Sequence, residues 1–169
     1  GYRFGGGEKS ACIVGALRGN EIQQLYICSQ LVKALKELEA HGAISHNHEI
    51  LVIPSVNRFS MNVGKRFWPT DNSDLNRAFP GDVNGDTTKQ IAGTLYDRIK
   101  GYSYGIHFAS FYMPGDFIPH VKMMDTGFQS ASLANLFGLQ YVVIRKPKPM
   151  DTVTLNYNWQ MNGTNAFSI

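Results

Sequence analysis

Charge is scarce in this sequence. Lys and Arg number 16 and Asp and Glu 13 among 169 residues, so charged side chains make up only 17%, against about 25% in ordinary soluble domains. The balance is +3 at pH 7, too small and too scattered for a nucleic-acid footprint. No apolar run approaches the roughly 18 residues that a membrane-spanning helix needs. No basic stretch followed by an apolar one opens the chain in the manner of a secretory signal. Cysteine is nearly missing. Cys12 and Cys28 are the only two, each in an apolar stretch, where a buried reduced pair is the expected state and a disulfide the alternative. The expectations are no nucleic-acid partner, no membrane partner and a cytoplasmic location. The chain starts at Gly1 and not at Met, so the native start is expected upstream.

Aromatics, at 12%, and 17 glycines argue against disorder and coiled coil and suit an α/β domain with long ordered loops. Residues 11–17 form a short apolar run that reads as a buried strand. A helical pattern follows, with Leu25, Cys28, Leu31, Leu35 and Leu38 on one face, ending near His41-Gly42. Residues 49–54 read as a second strand, which makes a βαβ unit with parallel strands. From 55 to 86 no periodicity survives, and a stretch of that length in a compact domain is usually functional. Residues 87–99 read as a helix, 102–108 and 117–123 as strands, 128–137 as a helix closed by Gly138, and 141–145 as a strand. Residues 152–161 fit helix or strand, and a strand begins at 166.

Three places combine polar groups with special backbone chemistry. The first, Gly15-Ala-Leu-Arg-Gly-Asn-Glu21, follows the C-terminal end of the first strand, where ligands bind in parallel α/β sheets. Glu21 falls in the first helical turn, where the macrodipole alone would also favour a carboxylate. The second is Asp74-Leu-Asn-Arg-Ala-Phe-Pro-Gly81, with Arg66 upstream. The planar forks of Arg66 and Arg77 suit a carboxylate or a polarised carbonyl, with solvated surface arginines as the bland alternative. The third is His107, at the end of the strand over 102–108, either a ligand or a satisfied core histidine. His41, His46 and His48 read as solvated.

In this order and spacing the three places resemble the succinylglutamate desuccinylase/aspartoacylase family of zinc hydrolases, which is related to the zinc carboxypeptidases. The family pattern is His-Gly-Asn-Glu after a strand, then Asp-Leu-Asn-Arg-x-Phe-Pro-Gly, then a strand ending Asp-Leu-His. The second motif is complete here; the first reads Arg18-Gly-Asn-Glu21, and the third, Gly105-Ile-His107, lacks the aspartate. Asn57 also matches the family's run. The resemblance implies an α/β fold, a three-layer open mixed sheet with helices on both faces, zinc carboxypeptidase-like. It implies one such domain over residues 1–169, truncated at both ends relative to the native protein.

The same resemblance implies zinc as cofactor, with Glu21 and His107 as ligands and Arg18 at the third ligand position. Asn76 and Arg77 map to substrate binding, and Arg66 to the arginine that steadies an oxyanion. The family's general base lies beyond Ile169. Two functions follow. One is a metal-dependent deacylase acting on a small carboxylated N-acyl amide, an N-acyl amino acid or a peptide-like ligand. The other is a metal-free binding protein on the same fold, in which Arg18 replaces the metal and the site keeps its positive charge. In both, Arg18, Arg66 and Arg77 are expected to converge on one anionic pocket. A third reading is the α/β half of a larger protein whose function lies elsewhere.

Overall fold

The computed structural model describes residues 1–111 and 113–169. Among them, seven strands form one mixed sheet in the order β1-β3-β2-β4-β7-β5-β6. The βαβ unit is present as expected. β2 (Glu8–Ala16) and β3 (His48–Ser55) lie parallel, joined by helix α1 (Ile22–Ala40). Strand β1 (Tyr2–Gly5) is an addition that the sequence pattern did not suggest; it pairs antiparallel with β3 and forms one edge.

Alternation of side chains along the strands sorts the core onto two faces. Cys12, Val14 and Leu51 pack with Leu95, Ile99 and Trp159, beneath α3 (Thr87–Ile99) and α5 (Leu155–Met161). Ile13 and Val52 point the other way and pack with Cys28, Val32 and Leu35 of α1. Farther along the sheet, Val121, Met123 and Phe167 pack with Ala134 of the short helix α4 (Ala131–Ala134). The sheet is thus covered on both faces. Both cysteines are buried and free. No described helix is long and apolar enough to cross a membrane.

Several elements differ from the pattern reading. The buried stripe of α1 runs through Gln24, Cys28, Val32 and Leu35, while Leu38 is 47% exposed; the apolar period drifts off the packed face in the last turns. The stretch 55–86 holds helix α2 (Arg58–Asn62), capped by Asn57, and a 3-10 turn over Leu75–Arg77. The helix expected over 128–137 shrinks to α4 and a 3-10 turn ending at left-handed Gly138. The ambiguous segment 152–161 resolves as a turn leading into α5. Strands β4 (Tyr104–His107), β5 (His120–Met124), β6 (Tyr141–Arg145) and β7 (Asn165–Ser168) complete the sheet.

Candidate functional site

The site lies where β2 and β4 end. Beyond β2 the chain turns through Leu17-Arg-Gly-Asn20 into α1, with Glu21 at the helix's N-cap. Gly19 is required there by close approach. A Cβ at this position would sit 2.2 Å from the Lys65 carbonyl oxygen and 2.5 Å from the Ser60 carbonyl carbon. The loop after α2 therefore crosses directly over the turn, and the Gly19 N–H donates to the Arg66 carbonyl at 3.0 Å.

Glu21 is 1% exposed and does not cap its own helix. Its Oε2 accepts from the backbone N–H groups of Leu17 (2.9 Å) and Arg18 (3.0 Å). Its Oε1 accepts from Arg18 Nη1 (3.1 Å) and from Ser110 Oγ (2.8 Å). The helix-dipole account of Glu21 is therefore replaced by one in which the carboxylate ties the β2 turn to the segment after β4. Gln24 strengthens the same tie by donating to the Ala109 carbonyl at 3.0 Å.

Arg18 lies across two carboxylates. Beyond Glu21 it grips Asp74, with Nε to Oδ1 at 3.0 Å and Nη2 to Oδ2 at 2.8 Å. Burial works against its charge, but the bonds to Asp74 and Glu21 prevail and hold the guanidinium above its ordinary value. Asp74 also accepts from the Asn76 N–H at 3.0 Å, capping the 3-10 turn. Pattern reading gave Asp74 no separate role, although it heads the most specific motif in the chain. Ser110 and Gln24 carried no signal in the sequence.

His107 is 2% exposed, and its buried Nε2 has no hydrogen-bond partner among the described residues. Burial pushes its pKa down to about 4 against the pull of Glu21, so the imidazole is neutral at pH 7.

The zinc that the family resemblance implies does not fit these residues. The unpartnered His107 nitrogen would suit a metal. But a carboxylate offers about four lone-pair positions, and four donors already fill those of Glu21. A guanidinium has no lone pair to give. Among the described residues no three His, Cys, Asp or Glu side chains are grouped to hold a metal ion.

The three arginines make separate contacts among the described residues. Arg66 reaches Asn20 Oδ1 at 3.4 Å and lies over the Phe67 ring. Arg77 donates to the Met150 carbonyl at 2.6 Å and stands 4.0 Å from Asp151. Asp151 is gripped by both Arg145 Nη1 and Nη2 at 2.7 Å each, and the hydrogen bonds from Arg145 hold its pKa down at about 2. Asn76 accepts from the Leu155 N–H at 3.1 Å, which fastens the motif to α5. Nor does the metal position keep a positive charge: one guanidinium faces two carboxylates there.

The sheet order, the helices on both faces and the site at the C-terminal ends of β2 and β4 define a zinc carboxypeptidase-like α/β fold. A metallo-carboxypeptidase from Burkholderia cenocepacia superposes with a TM-score of 0.65 at 13% identity, covering 99% of this chain and 50% of that one. The family model for the succinylglutamate desuccinylase/aspartoacylase catalytic domain matches residues 8–168, and the chain belongs to that family. An aspartoacylase family protein from Mesorhizobium loti superposes with a TM-score of 0.76 at 22% identity, covering 98% of this chain and 52% of that one. An N-alpha-acetyl-L-2,4-diaminobutyric acid deacetylase from Halomonas elongata is 29% identical over 83 residues, 49% of this chain and 22% of that protein. The chain therefore spans about half the length of these solved relatives and less of the deacetylase.

Proposed function

We propose that this chain is a metal-free member of its family that binds a small carboxylated ligand, of the N-acyl amino acid or peptide-like class, and does not hydrolyse it through zinc. The observation that carries the reading is the Arg18 guanidinium, held between Glu21 and Asp74 where the family pattern has a histidine. The ligand class is supported by the Halomonas elongata relative, whose name specifies an N-acetyl amino acid. It is also supported by the intact Asp74–Gly81 motif. Arg77 keeps guanidinium N–H groups beyond the one given to Met150, and the Asn76 amide keeps its NH2 for a ligand while its oxygen holds Leu155. The buried free thiols support a reducing compartment, the cytoplasm.

The unpartnered His107 Nε2 favours a second reading, a metal-dependent deacylase in which Glu21 and His107 hold zinc and Arg66 steadies the oxyanion. It requires Arg18 to release both carboxylates. Calorimetric zinc titration separates the two, on wild-type protein purified without chelator and on Arg18→His. The expected result is no stoichiometric zinc and no hydrolysis of N-acetyl amino acids by the wild type, with zinc affinity gained in the variant. One zinc per wild-type chain with accompanying hydrolysis overturns the proposal.

A further inference from the structure

Strand β6 ends the sheet with one face bare. Its Val142 packs with the cluster that includes Ala134 of α4, so Tyr141, Val143 and Arg145 point to the opposite face. Strands β5 and β6 are parallel, and parallel strands are ordinarily covered on both faces. Here Tyr141 is 47% exposed and Val143 41%. Tyr141 is the register partner of His120 on β5, which puts the two side chains next to each other on that face. The His120 ring lies 5.9 Å from that of Phe111, and Phe111 stacks on Phe117 at 4.0 Å. Both phenylalanines are 44% exposed. Val143, Tyr141, His120, Phe111 and Phe117 thus form one continuous shelf of apolar and aromatic side chains.

Both ends of the shelf meet the site already described. At one end Arg145, two residues along β6 from Val143, holds Asp151 through two hydrogen bonds of 2.7 Å. Arg77 stands 4.0 Å from the same carboxylate. At the other end Phe111 follows Ser110, whose hydroxyl donates to Glu21 at 2.8 Å. From Arg145 to Tyr141 the strand alone runs about 13 Å, and the phenylalanine rings lengthen the shelf further. Contiguous exposed apolar surface marks a binding site or a partner surface. Five side chains of this exposure fall well short of the roughly 800 Å² that each partner of a stable complex buries. A cation with spare donors beside a row of apolar and aromatic groups suits a ligand with a carboxylate and an apolar tail. An acetyl group is too short to leave the cluster at Asp151, whereas a longer acyl chain reaches Tyr141 and the phenylalanines.

We propose that this shelf binds the acyl chain of the ligand while Arg77 binds its carboxylate, so that the preferred ligand is an N-acyl amino acid of medium chain length. The inference rests on the reading that Arg77 takes a carboxylate, and it adds the length and apolar character of the acyl group. Each methylene fully withdrawn from water gives roughly fourfold in affinity. A shelf covers a chain from one side only, so lengthening acetyl to octanoyl should give about tenfold.

The test is calorimetric titration of the intact protein with two monocarboxylic probes, N-acetylglycine and N-octanoylglycine. Wild type is expected to prefer the octanoyl probe by about tenfold. Tyr141→Ser and Phe117→Ser, both at exposed positions, are each expected to cut that preference to about threefold, and Phe117→Leu to retain it. A wild type that binds both probes equally overturns the role of the shelf and leaves the Arg77 reading standing. So does a preference that survives in both serine variants. Should neither probe bind the wild type, both readings fall. Sedimentation of the free protein tests a different occupant: a dimer that Tyr141→Ser dissociates assigns the shelf to a second copy of the chain and overturns the proposal. Thermal melts of each variant separate loss of the contact from loss of the fold.

Discussion

Two charged clusters flank the turn that runs from Asp74 to Arg77, and they are built on opposite principles. In the first, Arg18 is buried and shared between Glu21 and Asp74, every position on Glu21 is filled, and the charge is net negative. In the second, Arg145 and Asp151 form a closed bidentate pair, but Arg77 stands beside it with guanidinium N–H groups to spare. The backbone bond from the Arg77 N–H to the Asp74 carbonyl, 2.8 Å long, keeps the two clusters within one turn of each other, about 7 Å between Cα atoms. An arginine saturated by carboxylates is a strut, whereas a cation with free donors can recognise something. In this chain Arg18 is the strut, and Arg77, the anion contact we propose, lies one turn away.

The largest expected effect breaks the first cluster. Glu21→Gln removes one charge from a buried, fully bonded group and leaves Arg18 with Asp74 alone. Breaking a buried pair from one side costs about 3–5 kcal/mol, so the urea midpoint should fall sharply. A change below about 1 kcal/mol would mean that the cluster is as loosely coupled as a surface ion pair.

Breaking the second cluster should cost less, because the Arg145 side chain is 31% exposed. Arg145→Met is expected to lose about 1.5 kcal/mol, the low end for hydrogen bonds to charged groups. Its acid dependence should change as well. The Asp151 pKa lies at about 2 in the folded protein against an ordinary value of 3.8. A depressed carboxylate contributes stability that is complete above its unfolded pKa and lost as pH falls through the folded one. Wild type should therefore lose stability from about pH 4 down to pH 2, and Arg145→Met should show a weaker loss over that window. An unchanged acid limb in the variant would assign the limb to other carboxylates.

Much of the frame of both clusters was legible in residue order. The apolar run beginning at Ala11 read as a strand, and residues 87–99 matched α3 to the residue, because an apolar helical period is a local signal. The motif from Asp74 to Gly81 also stood out in the sequence, and the structure brings its Asp74 against Arg18. What stayed hidden depends on distance along the chain. Arg18 and Asp74 are 56 residues apart, and Arg77 meets Met150 across 73; no periodicity encodes either contact. Strand β1 was missed because four residues pairing at an edge leave too short a pattern.

The smallest expected change in stability is at Arg66, and it discriminates best between the two functional readings. Its one side-chain hydrogen bond among the described residues, 3.4 Å to Asn20 on an exposed loop, is weak, so Arg66→Ala should shift stability by less than about 0.5 kcal/mol. The variant will therefore fold, and any change in function reports on the ligand and not on the scaffold. If the protein hydrolyses amides, with Arg66 steadying the oxyanion, removing that donor should lower kcat by about 10²–10³-fold and leave KM nearly unchanged. If it binds without hydrolysis, no oxyanion forms and Arg66 has no transition state to favour. Affinity for an N-acetyl amino acid should then stay within about twofold of wild type, because Arg77, the anion contact we propose, is left intact. A large loss of affinity in Arg66→Ala would place the ligand over the Asn20 side of the turn and shift recognition from the second cluster to the rim of the first.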